Sequence, residues 1–163
     1  MIIDTLERIK LLPKQREDSL TDAFGLLVGV EDRKSVDGYI KWIRSEAKKI
    51  PAASMYDLIG RTYLYSGQYS FDDFMVAMEW NREPNARFWI PRRKVWEGKH
   101  GVATQIQEFI DDDEALYLGL SCPPGTGKST MIKFLLAYII GKEPLMQNMY
   151  VSYSDGMIKL MLD

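Results

Sequence analysis

Residues 121–130 read SCPPGTGKST, and their types and spacing suit the grip of a polyphosphate. Such a ligand needs many donors and little steric bulk around them. Gly125 and Gly127 can take positive φ, which turns successive backbone N–H groups inward as an anion nest. Thr126 stands at the loop tip and is expected to offer its N–H, while Pro123 and Pro124 stiffen the approach. Lys128 is the expected catalytic residue, a mobile cation that reaches the β- and γ-phosphates. Ser129, with Thr130 as a second hydroxyl, is expected to place its oxygen on Mg²⁺, whose shell the phosphate oxygens complete. The implied cofactors are therefore ATP and Mg²⁺. The pattern G-x-x-x-x-G-K-[S/T] is broken at its first position, where Cys122 replaces glycine. That position precedes the donors that grip phosphate, so Cys122 reads as a small buried residue and GTGKST keeps the chemistry.

A loop of this kind needs an apolar strand to enter it and a helix to leave it. ALYLGLS at 115–121 predicts a buried strand, and TMIKFLLAYIIG at 130–141 predicts an amphipathic helix that begins near Lys128 and stops at Gly141. The helix start adds its own unsatisfied N–H groups and positive dipole end to the nest. NMYVSYS at 148–154 reads as a second strand, and DGMIKLMLD as the start of a further helix with Asp155 as its cap. The order strand, loop, helix, strand predicts an α/β fold: the beginning of a P-loop NTPase domain over residues 86–163, with an incomplete parallel sheet.

Residues 1–85 read instead as a helical N-terminal region. In SVDGYIKWIRSEAKKIP, Tyr39, Ile40, Ile43, Ala47 and Ile50 share one helix face, which Pro51 ends. Ser54 with Asp57, and Ser70 with Asp73, are acidic variants of the capping box. Phe71, Phe74, Met75 and Met78 predict the inward side of the second of these helices, and NREPN at 81–85 breaks it. Beyond it, RFWIPRRKVW carries a basic cluster between Trp89 and Trp96. GVATQIQEFID predicts a helix with Val102, Ile106, Phe109 and Ile110 inward, and DDDE at 111–114 a polar turn.

Composition narrows the classes. The chain has 163 residues, 46% hydrophobic and 27% charged, as a folded chain has, and 21 basic against 23 acidic residues give a formal net charge of −2. No global basic field announces nucleic acid, so any such contact must be local. One cysteine and one histidine exclude an internal disulfide and argue against a zinc centre. The longest apolar run, FLLAYII at 134–140, is too short to span a bilayer, and the N-terminus has no secretory signal. An intracellular, soluble protein with no membrane contact is expected.

Taken together, RFWIPRRKVW, LYLGLSCPPGTGKSTMIKFLLAYIIGKEP and NMYVSYSDGM resemble the phage terminase large subunit, over about residues 86–163. The resemblance implies the ATP-binding portion of a motor that packages double-stranded viral DNA into procapsids in the host bacterial cytoplasm. The partners it implies are a small terminase subunit and a portal, with oligomerisation in the assembled motor. It also implies an adenine-contacting segment upstream of the loop, for which Arg92, Arg93, Gln105 and Gln107 are the candidates. The family's second acidic motif, with an Asp for Mg²⁺ and a Glu for the attacking water, and its nuclease acids do not occur between residue 154 and Asp163. The chain is therefore expected to match only the N-terminal portion and to hydrolyse little or no ATP alone. Two alternatives stay open: another P-loop NTPase of the AAA+ or helicase kind, which shares PPGTGKS, or a helical partner-binding module whose loop is vestigial.

Overall fold

The computed structural model describes residues 13–28, 33–96, 101–149 and 151. Its elements are α1 (Pro13–Leu27), α2 (Arg33–Ala47), α3 (Ala53–Ser66), α4 (Phe71–Glu79), a 3₁₀ turn (Pro84–Ala86), α5 (Trp89–Trp96), α6 (Val102–Asp111) and α7 (Lys128–Lys142). The chain divides into two compact units between Gly67 and Gln68.

In the first unit α1, α2 and α3 all pack on one another. Leu20, Phe24 and Leu27 meet Val36, Ile40, Ile43 and Ala47 of α2 and Met55, Leu58, Ile59 and Tyr63 of α3 in its core. The helix spacing read from Ile40, Ile43 and Ala47 is thus the buried face, while Tyr39 and Ile50 lie at its margin. A charged group is sunk beside it. Arg44 donates from Nε to the Thr62 hydroxyl (2.9 Å) and from a terminal nitrogen to the Thr62 carbonyl and the Ser66 hydroxyl. Its guanidinium also lies 3.7 Å from the centre of the Tyr63 ring, so a buried charge is dressed by hydroxyls, a carbonyl and a π face. Ser54 does not cap α3. Ala52 holds that position with no side-chain bond, and Ser54 donates to Glu17 on α1 instead.

In the second unit α4 is the hub, in contact with α5, α6 and α7. The Ser70 half of its capping box forms as read, the hydroxyl accepting from the Asp73 N–H. Phe71 and Met75 are fully buried, but Met78 is exposed, and Glu79 takes an inward place with no solvent exposure. Ile106 and Ala103 form the buried side of α6. On α7 only Met131 and Tyr138 are buried, with Tyr138 against Phe71 and Phe74 at ring-centre distances of 5.5 and 5.2 Å. Gly141 does not end α7, which runs on to Lys142.

The expected α/β architecture does not form. Among the described residues there is no strand and no sheet, and the fold is helical. Residues 115–120 and 147–149 carry no regular structure, and Leu116 and Tyr117 are 80% and 91% exposed. The reason lies in how the two kinds of element satisfy their backbone. A helix closes its hydrogen bonds within its own segment, whereas a strand exists only against a partner. Among the described residues no strand pairs with 115–120, so that segment does not become the predicted strand. Residues 150 and 152–163, which include the rest of the second strand and the helix expected after Asp155, lie outside the described residues.

Candidate phosphate-binding loop

Residues 121–123 run without regular structure into a tight turn at Pro124–Thr126, and α7 begins at Lys128. Both glycines do what the sequence asked of them: Gly125 has φ 77° and Gly127 φ 88°, and no residue other than glycine has positive φ among the described residues. Gly127 is the N-cap residue of α7, and its carbonyl accepts the first intrahelical bond from the Met131 N–H at 3.0 Å. No side chain caps this helix. The N–H groups of its first turn therefore face outward from the helix with the positive end of its dipole behind them. Lys128 and Ser129 are exposed beside them, and Thr130 is half-buried.

Thr126 is used differently from the sequence reading. Its N–H and its hydroxyl both donate to the Pro123 carbonyl, at 3.4 and 2.8 Å, so both groups close the turn. Pro124 is exposed on the outer side of that turn, and Cys122 is half-buried as a free thiol.

The upstream candidates separate. Arg92 is exposed, donates to the Phe88 carbonyl at 2.8 Å and lies over the Phe88 ring, 4.8 Å from its centre. The Phe88 ring in turn touches the loop. A Cβ built on Gly127 would lie 1.9 Å from Cε2 and 2.3 Å from Cζ of Phe88, so that ring occupies the space a side chain would need. The structure thus brings Arg92, through Phe88, to the side of the candidate loop. Arg93 is committed elsewhere, to a forked ion pair with Asp72 and a further bond to Asp73 on α4. Gln107 is also engaged. Its carbonyl accepts from the Phe71 N–H at 2.7 Å and its amide donates to Asp111 at 2.9 Å, which fixes the start of α4 to α6. Gln105 is exposed on α6.

Sequence reasoning missed two residues that set this geometry. One is Phe88 itself. The other is Glu79, whose carboxylate accepts from three consecutive N–H groups: Phe88 at 2.8 Å, Trp89 at 2.7 Å and Ile90 at 3.1 Å. It caps α5 from outside the helix, where a negative charge meets both orphan donors and the dipole. Pro91 fits into the same first turn because its missing N–H has no intrahelical partner to lose. Trp89, fully buried, completes the anchor by donating from Nε1 to Asp72 at 2.7 Å. An acid nine to eleven residues before the amides it holds leaves no periodic trace. The aromatic cluster FW before PRR was the only available sign.

Among the described residues no cluster of His, Cys, Asp or Glu could hold a metal ion, and no helix is long and apolar enough to cross a membrane. Comparison with models of known protein families, with curated proteins and with solved structures finds no match.

Proposed function

We propose that residues 122–130 bind the polyphosphate of ATP with Mg²⁺, and that the chain is the ATP-binding portion of a DNA-packaging motor of the terminase large-subunit kind. The observation that carries the first half is the pair of left-handed glycines, Gly125 and Gly127, leading directly into an uncapped helix that starts on Lys128. Backbone N–H groups of such a turn supply the nest, Lys128 the mobile cation, and Ser129 with Thr130 the hydroxyls for Mg²⁺. The second half rests on the segments that flank the loop in sequence, with double-stranded DNA, a small terminase subunit and a portal as the partners of the assembled motor. The bacterial cytoplasm is the compartment this reading requires.

Calorimetric titration with Mg·ATP tests the loop directly. Lys128→Ala is expected to weaken binding at least tenfold, on the order of one charge-assisted hydrogen bond to phosphate; equal affinity overturns the reading. The motor assignment is tested by the gene: codons after 163 that encode an apolar segment ending in Asp-Glu, followed by clustered nuclease acids, support it, and a frame without them overturns it. A second reading, a helical partner-binding module, is favoured by one observation. The first unit closes its own core yet leaves Leu26, Val28 and Leu64 more than half exposed. In that reading the chain takes no nucleotide, so the same titration decides between the two.

A further inference from the structure

We propose that Phe88 is a positioning residue for the phosphate loop: its ring props Gly127 in the left-handed conformation that the nest requires, so that part of the loop is ordered before any ligand arrives. The proposal rests on the ATP-binding reading of the loop. The two glycines of the turn differ in their surroundings. A Cβ on Gly125 would meet nothing within 4 Å, whereas one on Gly127 would run into the Phe88 ring at 1.9 Å. One left-handed residue is therefore free and the other is braced.

The brace has a fixed stem. The Phe88 N–H is held by Glu79, a carboxylate with no solvent exposure, and the next residue, Trp89, is itself fully buried and bonded to Glu79 and Asp72. The Arg92 guanidinium lies 4.8 Å from the ring centre and is tied to the Phe88 carbonyl, which limits how the ring can turn. A ring so held restricts Gly127 to the conformations that accommodate it. Glycine otherwise has the widest backbone freedom of any residue and loses the most on ordering. Phe88 thus acts on affinity without touching phosphate, by lowering the ordering cost that binding must overcome.

The test is a set of titrations with Mg·ATP and, separately, with inorganic tripolyphosphate, which has no base to stack. They use the full chain as wild type, Phe88→Ala, Phe88→Leu and Lys128→Ala, each at a temperature where thermal melting shows it folded. Freeing one loop residue corresponds to about 5- to 30-fold weaker binding in Phe88→Ala, equal for both ligands, with Phe88→Leu recovering most of the loss. In nuclear magnetic resonance spectra the ring-current shift of the Gly127 α-protons disappears in Phe88→Ala. Wild-type affinity in Phe88→Ala, beside weak binding in Lys128→Ala, overturns the brace and leaves the phosphate reading standing. A loss confined to ATP also overturns it, since that marks a contact with the base. Absence of binding by the wild type removes the phosphate reading and the brace together. Where Phe88→Ala does not fold, Phe88→Val, which lacks the Cε2 and Cζ atoms that meet Gly127, takes its place, and wild-type affinity in Phe88→Val overturns the brace.

Discussion

Replacing Gly127 with alanine perturbs the loop in two separable ways. The new side chain must accept φ 88°, which costs an L-residue about 1–2 kcal/mol, and its Cβ must displace the Phe88 ring that stands 1.9 Å away. Overfilling a packed site costs a further ~1–3 kcal/mol. Gly125→Ala is the matched control: φ is 77°, and nothing lies within 4 Å, so only the backbone cost of about 1–2 kcal/mol applies. The expected order is therefore Gly127→Ala less stable than Gly125→Ala by ~1–3 kcal/mol. In a Phe88→Ala background that difference is expected to vanish, because the obstructing ring is gone. Urea unfolding followed by tryptophan fluorescence reads these values. Trp42 is changed to Phe in every variant so that Trp80, Trp89 and Trp96 report the second unit alone, since two units can unfold in separate steps. Equal costs for the two glycine substitutions, or a Gly127→Ala penalty unchanged without the ring, would refute the packing argument.

Two further perturbations address the rest of the molecule. Glu79→Gln preserves shape but replaces one acceptor oxygen by a donor and removes the charge facing three N–H groups. A loss of about 2–4 kcal/mol in the same unfolding assay is expected, and a change under about 0.5 kcal/mol contradicts the capping role. In the first unit Glu46 is held below its usual value of 4.5, chiefly by the hydrogen bond from Lys49, with the Lys49 and Arg16 charges adding to it and burial opposing. A carboxylate depressed in the folded state contributes stability that is present above its unfolded value and is lost as pH falls through the folded one. Thermal melts between pH 6 and pH 2 should therefore show an acid loss of stability that Glu46→Gln reduces; identical slopes in both proteins argue against it.

What the sequence made legible was local. The Ser70 cap, the left-handed glycines and the start of α7 follow from residues within one turn of each other and formed as read, whereas of the α2 face Ile40, Ile43 and Ala47 are buried and Tyr39 and Ile50 lie at its margin. The sheet was misread because the signal for a strand, an apolar run such as ALYLGLS, reports only that a segment suits an extended, covered place. It says nothing about whether a neighbour exists to complete the ladder. Side-chain ties over longer spans were invisible for a related reason. Gln107 looked like a ligand-contacting amide, yet it serves the start of α4, thirty-six residues earlier. Arg93 belonged to a basic cluster in sequence and to Asp72 and Asp73 in space. Met78, placed inward by helical spacing, is exposed, whereas the inward place at the end of α4 is taken by the charged Glu79.

The three amides that Glu79 gathers also carry a consequence for how this unit opens. First-turn amides ordinarily exchange their hydrogens with solvent as fast as those of a loop, since nothing within the helix protects them. At Phe88, Trp89 and Ile90 the protecting acceptor belongs to the last residue of α4. The beginning of α5 cannot unravel while Glu79 keeps its place, nor can the end of α4 fray without releasing all three. Two helices separated by a link that holds the 3₁₀ turn thereby share a single opening reaction. The ring of Phe88 begins at one of the amides so protected, which places the side of the loop it touches among the slower-opening parts of the unit.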